Sequence, residues 1–236
     1  MATGTSEIVE QFKAEAGRTG AVVYEAERAE DARNCVLALA QGHDVKRVVK
    51  SRSVVAEETG LRERLESAGI EVRETDLAEW IAQLAGDASA THKTLQQVAE
   101  LFSRATGEEL KPDPQVLLEA ARRTLRQACV DADLGISEAS IGIAETGTSV
   151  ILDDEGNARL VAVLPRLHLT LVACEKVVPS LDDATARLRA LGKNSTGPKM
   201  PSYVTYITGR NTTGDIPQAL MARAQGPEEE HILLVR

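Results

Sequence analysis

One short segment of the chain places a carboxylate beside a turn that could hold a ligand. Glu145 follows the apolar run at 141–144, and Thr146, Gly147 and Thr148 come directly after it. The carboxylate could act as a general base, a nucleophile or a hydrogen-bond acceptor, while the turn offers hydroxyl and backbone N–H groups to an anion. The alternative is a carboxylate that caps backbone amides in a tight turn. We predict Glu145 as the catalytic residue and the other three as ligand-binding residues.

Cationic and polar side chains flank the next strongly apolar run. Asn157 and Arg159 stand before it, and Arg166 and His168 stand after it. Guanidinium groups bind carboxylates and phosphates, and a histidine can shuttle protons. Solvated arginines at strand ends, and a histidine satisfied by a backbone carbonyl, are the alternatives. These four residues are predicted to bind the ligand. Because His168 has no Cys, His or Asp partner at ligand spacing, no metal site is predicted.

A second candidate anion site lies where a predicted strand meets a predicted helix. Lys50, Ser51, Arg52 and Ser53 combine two cations and two hydroxyls with a helix N-terminus, an arrangement that suits phosphate or carboxylate. The glycine-rich sequence of a nucleotide-binding loop is absent. Ordinary capping with solvated charges is the alternative, but we predict that Lys50 and Ser51 bind the ligand. His92 opens another helix and could join them.

A third polar segment, at 208–215, follows a predicted strand and is flanked by glycines. Its hydroxyl groups could wrap an anion. Equally, Asp215 could cap a helix over residues 216–223. The residues predicted to bind the ligand in this segment are Gly209, Arg210, Thr212 and Thr213.

The composition is that of a soluble globular protein. Of 236 residues, 43% are hydrophobic and 27% are charged, and this length fits one large domain or two small ones. The net charge of -9 argues against a nucleic-acid partner, although an acidic surface still permits a basic pocket for a small anion. No apolar run approaches the ~20 residues of a membrane span, and the chain starts without a secretory signal pattern. We therefore expect a cytoplasmic protein.

The three cysteines, Cys35, Cys129 and Cys174, are far apart in the sequence. They form no C-x-x-C pair, so they do not constitute a ligand set for zinc or for an iron–sulfur cluster. An odd number of cysteines without a secretory signal is typical of a reducing compartment, where a thiol behaves as a small buried hydrophobe. No cofactor is therefore predicted in this chain.

Helix and strand patterns alternate through the first half of the sequence. A helix within residues 1–20 precedes an α/β half at 21–130, and such alternation is typical of a parallel sheet with helices on its faces. Closely spaced strands predominate in the half at 131–236, which carries the main candidate site. We predict one domain with an α/β fold and a mixed, largely parallel sheet with flanking helices. The predicted helices cover residues 6–17, 28–41, 54–68, 76–86, 93–104, 114–130, 180–192 and 216–223. The predicted strands cover residues 21–24, 45–49, 70–75, 140–144, 148–152, 158–163, 168–173, 203–208 and 232–235.

Several motifs, taken in order, resemble the LUD domain of the lactate-utilisation proteins B and C. In the second half these are AETGT (144–148), EGNAR (155–159), LPRLH (164–168), EKVVP (175–179), ITG (207–209) and GPEEEH (226–231). In the first half, closer to the B type, they are KSRS (50–53), EE (57–58), GIEV (69–72), ETDL (74–77), QLAG (83–86) and HKT (92–94). The resemblance covers most of the chain. It implies the NagB/RpiA/CoA-transferase-like α/β fold and a role in oxidising L-lactate to pyruvate with iron–sulfur and other redox subunits.

Two features depart from the B type. That protein continues into a ferredoxin-like region with cysteine clusters, whereas this sequence ends at Arg236, and the segment before His92 is shorter. An iron–sulfur cluster is therefore expected only on a partner. The resemblance implies a subunit of an L-lactate oxidation system that binds an organic acid or an anionic cofactor and acts with separate iron–sulfur and redox subunits.

Two alternatives stay open. A free-standing CoA-transferase-like or sugar-phosphate isomerase-like enzyme would use Glu145 as nucleophile or base, and Lys50, Arg159 and Arg210 would hold its anionic substrate. A non-catalytic module would bind a metabolite without chemistry. Because the sequence has neither a dinucleotide-binding fingerprint nor a cysteine cluster, lactate oxidation by this chain alone is not expected.

Overall fold

The central sheet of the molecule contains six parallel strands, contributed by both halves of the chain. A computed structural model describes residues 3–86, 93–194, 201–209, 212–216, 219–222 and 226–236. In spatial order the strands, numbered along the chain, are β1 (Val22–Ala26), β12 (Glu229–Val235), β7 (Leu167–Ala173), β4 (Leu134–Glu138), β2 (Arg47–Lys50) and β3 (Glu71–Glu74). Strand β7 is buried along its whole length, as expected for a parallel strand covered on both faces.

A second sheet of four strands packs against the first. Its strands are, in spatial order, β8 (Val177–Val178), β5 (Ile141–Ile143), β6 (Thr148–Asp153) and β9 (Tyr203–Ile207). Strand β5 pairs antiparallel with β6 but parallel with β8, so this sheet is mixed. At Gly142 an added Cβ would lie 3.2 Å from Phe12 and 3.4 Å from Val172, so the two sheets meet closely there. An antiparallel pair is formed separately by β10 (Thr212–Ile216) and β11 (Ala219–Ala222).

Helices cover both faces of the central sheet. The helices of the described residues are α1 (Thr3–Arg18), α2 (Ala29–Gly42), α3 (Val54–Glu58), α4 (Leu61–Ser67), α5 (Leu77–Ala85), α6 (Leu95–Thr106), α7 (Pro114–Asp131), α8 (Asn157–Val163) and α9 (Leu181–Asn194). Helix α9 packs on the second sheet. One face packs on α2, α3 and α4 around Leu169 and Leu233. The other packs on α1 around Val172 and on α7 and α8 around Val49. None of the described helices has the length and apolarity needed to cross a membrane.

The predicted fold class, an α/β fold with a largely parallel sheet and flanking helices, is confirmed. The helix ends that we predicted from capping residues are also confirmed in three helices. Asp113 accepts hydrogen bonds at the start of α7, where Pro114 is the first helical residue. Asp76 caps α5 in the same way, and Gly86 ends that helix with a φ of +66°. Ser180 caps α9, which continues past the predicted end at Gly192.

The predicted strand at 158–163 is wrong, because these residues form helix α8. Gly156 adopts a φ of +82° directly before the helix, and the Asp153 carboxylate accepts a hydrogen bond from Ala158 N at 2.9 Å. The residues between the predicted strands at 148–152 and 158–163 therefore lead into a helix. Short apolar runs suit either structure, so periodicity alone does not distinguish them.

The predicted helix at 216–223 is also wrong where the structure describes it. Asp215 lies within strand β10, and Ala219–Ala222 form strand β11 rather than part of a helix. Strand β4, at the centre of the main sheet, is missing from the sequence prediction. Its apolar pattern is interrupted by Gly135 and Ser137. The backbone of α8 requires a glycine at 135, since an added Cβ there would lie 2.0 Å from Val161 O. Ser137 forms a hydrogen bond with His168 in the neighbouring strand.

Candidate functional site

A cavity of about 320 Å³ opens at the carboxyl-terminal ends of β2, β3 and β4. Parallel sheets commonly bind ligands at this edge, outside the ends of their strands. The polar residues that line the cavity are Ser51, Arg52, Thr75, Asp76, Glu138, Ser140, Asp153, Glu155, Asn157 and Lys176. Two residues predicted from the sequence, Ser51 and Asn157, therefore lie in the same cavity.

Glu138 joins the cavity wall to helix α3. Its Oε2 accepts hydrogen bonds from Ser53 Oγ at 2.8 Å and from Val55 N at 3.0 Å, and its Oε1 contacts the ammonium of Lys176. Burial would raise the pKa of Glu138, but the hydrogen bonds from Lys176 and the other two donors outweigh it and lower the pKa. Glu138 is therefore ionised at neutral pH and holds Lys176 at the cavity.

Three further carboxylates line the side of the cavity formed by α5 and α8. Asp76 caps α5 and Asp153 caps α8, so both are engaged by backbone N–H groups. Glu155 Oε2 accepts hydrogen bonds from Asn157 Nδ2 at 2.7 Å and from Leu77 N at 3.2 Å. Burial, followed by the charge of Asp76, raises the pKa of Glu155. A carboxyl group with a raised pKa is better suited to proton transfer near neutral pH.

Lys50 lines a neighbouring cavity of about 460 Å³, formed with α3, α4 and α5. Its ammonium lies 3.0 Å from Glu74 Oε2 and 3.6 Å from Glu79 Oε2, and it donates to Ser51 O at 3.1 Å. Because the Lys50 side chain is only 3% exposed, its charge must be compensated in place. Burial raises the pKa of Glu79 to about 8, although the positive charge of Lys50 acts to lower it. Lys50 thus belongs to a buried ion-pair cluster that adjoins the first cavity.

The turn at Glu145 packs against helices α1 and α9. Glu145 Oε1 accepts a hydrogen bond at 2.7 Å from the backbone N–H of Leu181, the first residue of α9. Gly147 has a φ of +63°, and an added Cβ would lie 2.2 Å from Ala16 N in α1. These contacts correspond to the capping alternative for the carboxylate, and they leave no room beside Gly147 on the side of α1.

Threonine hydroxyls connect this turn to the end of β9. Thr148 Oγ1 lies 2.7 Å from Thr146 Oγ1 and 2.7 Å from Thr208 Oγ1. Gly209 has a φ of +66°, and an added Cβ would lie 2.2 Å from Thr19 O after the end of α1. Thr146 and Thr148 of the first predicted segment and Gly209 of the third are therefore brought together, in a packed cluster of their own.

This cluster and the cavity lie at opposite ends of strand β6. Thr148 begins the strand and Asp153 ends it, a separation of about 17 Å at ~3.3 Å per residue. Glu145 therefore does not line the cavity that contains Ser51 and Asn157. Arg159 is exposed on α8 and is not among the residues that line the cavity.

Two other predicted residues lie near the opposite, amino-terminal edge of the central sheet. Arg166, directly before β7, donates to His43 O at 2.5 Å. His168 is buried inside the sheet and contacts Ser137 and Glu230. Arg210 and His92, with the side chains of Thr212 and Thr213, lie outside the part of the chain that the structure describes.

Comparison with known proteins identifies the family. A family model described as the LUD domain matches residues 9–235. The chain belongs to the LUD domain family. Lactate utilization protein B from Bacillus licheniformis is 34% identical over 234 residues, covering 96% of this chain and 47% of that protein. The proteins of the same name from Shouchella clausii and Bacillus subtilis are 35% and 34% identical, over 92% and 95% of this chain.

The LUD domain described here spans about half the length of the relatives that it matches, 47% for the Bacillus subtilis protein. A solved structure with a similar fold is a DUF162 family protein from Deinococcus radiodurans, with a TM-score of 0.56 and coverage of 98% of both chains. At 14% identity this likeness concerns the fold alone. The resemblance to the LUD domain that the sequence motifs indicated is confirmed.

The three cysteines of this LUD domain lie in different parts of its core. Cys35 packs against the α2–α4 side of the sheet, Cys129 lies on α7 and faces α8, and Cys174 lies under α1. Burial raises the pKa of all three thiols, to about 11 for Cys129. Iron–sulfur clusters are held by several converging thiolates, and these three thiols do not converge.

Sequence reasoning did not assign several cavity residues of this LUD domain. Glu138 was missed because strand β4 was missed, and a polar residue at the end of a parallel strand is the signal that would have selected it. Lys176 and Glu155 stand within motifs that carried the family resemblance. Only the fold shows that they share one cavity.

Proposed function

We propose that this LUD domain serves lactate utilisation by binding a small 2-hydroxy acid in the cavity at the ends of β2, β3 and β4, and that redox centres on separate partners accept the electrons. The observation that carries the ligand proposal is the composition of this cavity. It combines two cationic side chains, Arg52 and Lys176, with a carboxyl group of raised pKa, Glu155. The name of the relatives supports lactate as the acid.

The cationic side chains suit the carboxylate of such a ligand. Arg52 is 76% exposed and has only a weak ion pair, 3.7 Å from Glu79 Oε1, so it is free to turn towards a ligand. A guanidinium can bind a carboxylate through two parallel hydrogen bonds. The hydroxyl of Ser51 lies at the same end of β2 and offers a further donor.

Glu155 suits the hydroxyl of the ligand. Oxidation of L-lactate to pyruvate breaks the O–H bond and the C2–H bond and releases two electrons and two protons. We assign the hydroxyl proton to the Glu155 carboxylate, and the C2 hydrogen would leave with the electron pair, as a hydride equivalent, for a two-electron acceptor on a partner. The electrons would pass to iron–sulfur or other redox centres on a partner. The scattered, buried cysteines support the placement of those centres outside this domain.

Calorimetric titration of the purified protein with L-lactate, D-lactate and pyruvate tests the ligand. We expect L-lactate to bind and Arg52→Gln to weaken binding by about tenfold, the effect of losing one charged hydrogen bond. Arg64→Gln removes an exposed arginine of α4 outside the cavity, and this control should leave affinity unchanged. Absence of binding by all three acids, or equal affinity in both variants, would contradict the proposed site.

A tagged pull-down from the native cell grown on lactate tests the partners. We expect an iron-containing protein to be recovered together with lactate-dependent reduction of a dye, while the isolated chain is inert. Turnover by the isolated chain would contradict the assignment of electron transfer to a partner. Recovery of the chain alone, without dye reduction, would also argue against it.

A further inference from the structure

Two histidines and a glutamate converge near the amino-terminal edge of the central sheet, away from the cavity at the ends of β2, β3 and β4. Within the described residues, ligand atoms of His43, Glu229 and His231 all lie within 4.8 Å of one another. Glu229 Oε1 is 3.8 Å from His43 Nδ1, and Glu229 Oε2 is 3.4 Å from His231 Nε2. The imidazole rings of the two histidines are 5.7 Å apart and nearly perpendicular, at 71°.

The imidazole ring of His231 has a nitrogen without a hydrogen-bond partner. The residue is 1% exposed, and its Nε2 is buried without a hydrogen bond. The Glu229 oxygen at 3.4 Å is too poorly directed to make one. A buried polar atom without a partner costs free energy and calls for an explanation. The atom faces the other two side chains of the trio, so a bound cation would satisfy it.

The other nitrogen of the same ring already has an oxygen partner. His231 Nδ1 lies 3.3 Å from the hydroxyl of Tyr24. Histidines that bind a metal commonly donate their second N–H to an oxygen, which fixes the tautomer and the ring orientation. With Nδ1 protonated towards Tyr24, the lone pair of Nε2 faces Glu229 and His43.

Backbone structure holds the trio in place. Glu229 and His231 stand two residues apart in β12, so their side chains leave the strand on the same side. His43 follows α2, where its backbone N–H bonds to Leu39 O, and its carbonyl accepts a hydrogen bond from Arg166. The ligands therefore come from two firmly held segments that are distant in the sequence.

We propose that His43, Glu229 and His231 form a binding site for one divalent transition-metal ion of the Zn²⁺ class. Two imidazoles and one carboxylate suit Zn²⁺, whereas Mg²⁺ and Ca²⁺ prefer oxygen ligands. The His43 and Glu229 side chains are 28% and 43% exposed, so a fourth position opens to solvent. The ion would join the end of α2 to β12. This site is independent of the cavity at the ends of β2, β3 and β4.

Zn²⁺ titration of the untagged, chelator-treated protein against a chromophoric chelator tests this site. We expect one Zn²⁺ per chain and no competition from Mg²⁺. His43→Gln and Glu229→Gln change half-buried side chains at the edge of the sheet, so the fold should persist, and each should weaken binding by at least about tenfold. Tyr24→Phe removes the positioning oxygen and should weaken binding by about tenfold.

Asp44→Asn is the matched control, because it removes a carboxylate next to His43 but no member of the trio. We expect its Zn²⁺ affinity to equal that of the unmodified chain. Co²⁺ should give a visible spectrum without the thiolate charge-transfer band. Equal Zn²⁺ affinity in all variants, a thiolate band with Co²⁺, or no stoichiometric binding would overturn the proposal.

Discussion

His168 Nδ1 lies 2.8 Å from Glu230 Oε2 across two neighbouring strands of the central sheet, and both side chains are buried. On the other side of the ring, Nε2 lies 2.8 Å from Ser137 Oγ. Thr170 donates a further hydrogen bond to Glu230 Oε1 at 3.2 Å. Side chains of β4, β7 and β12 thus form one polar chain within the buried sheet. Because a buried polar group without a partner costs free energy, these four residues depend on one another.

Replacing the carboxylate of this chain should strongly destabilise the fold. Glu230→Ala leaves His168 buried without its carboxylate, and we expect the free energy of unfolding to fall by about 3–5 kcal/mol. Ser137→Ala removes a neutral partner and should cost less, about 1–3 kcal/mol. Urea denaturation measures both. Glu66→Ala, on the exposed side of α4, should stay within about 0.5 kcal/mol, and a similarly small effect of Glu230→Ala would show that the polar chain is dispensable.

A methyl group at Gly147 should also destabilise the protein. The backbone there has a φ of +63°, and an added Cβ would lie 2.2 Å from Ala16 N. Gly147→Ala should therefore lower the free energy of unfolding by at least about 2 kcal/mol, through backbone strain and displacement of α1. Gly17→Ala is the control in α1, since nothing lies within 4 Å of its added Cβ. That control should raise stability by about 0.5–1 kcal/mol, and a stabilising effect at both glycines would contradict the packing of the turn on α1.

The parts of the fold that the sequence predicts correctly are those fixed by local chemistry. Asp76, Asp113 and Ser180 each mark a helix start because their side chains accept hydrogen bonds from nearby backbone N–H groups. Strand β4 was not predicted, because Gly135 and Ser137 are required by contacts with residues distant in the sequence. Gly135 leaves room for α8, and Ser137 forms a hydrogen bond with His168. Such reasons are not visible in a single sequence.

The candidate site shows the same limit. The strand order β1-β12-β7-β4-β2-β3 decides which loops share an edge, and this order depends on long-range packing. It brings Ser51 and Asn157 to one cavity and leaves Glu145 at the far end of β6. The residue types indicate anion chemistry, which stays a prediction, and only the fold shows which of these residues share a cavity.

Substitution of Glu145 separates a capping role from a chemical one. Its carboxylate accepts the backbone N–H of Leu181 at 2.7 Å, so Glu145→Ala should lower the free energy of unfolding by about 1 kcal/mol, as for loss of a helix cap. Glu145→Gln keeps an acceptor oxygen and should cost less. Thermal unfolding of both variants measures this difference. Loss of lactate-dependent dye reduction in the purified complex of Glu145→Gln, with unchanged stability, would instead support a catalytic carboxylate.

The buried cluster around Lys50 should make stability depend on pH above the acid range. Burial raises the pKa of Glu79 from 4.5 to about 8, so the folded protein holds this proton more tightly than the unfolded chain does. The stabilising contribution is fully present below pH ~4.5 and is lost as the pH rises through ~8. Glu79→Gln cannot ionise, so its stability should match the unmodified protein in acid.

Above pH ~8, Glu79→Gln should be more stable than the unmodified protein by on the order of 1 kcal/mol. The difference is kept small because the charge of Lys50 partly compensates an ionised Glu79. Urea denaturation in buffers spanning pH ~5 to ~9 measures this difference. Glu63→Gln is the control, because Glu63 lines the same cavity but is exposed. Its curve should run parallel to that of the unmodified chain. If the Glu79→Gln curve runs parallel as well, the Glu79 proton does not contribute to stability, and the carboxylate must be ionised beside Lys50 throughout this range.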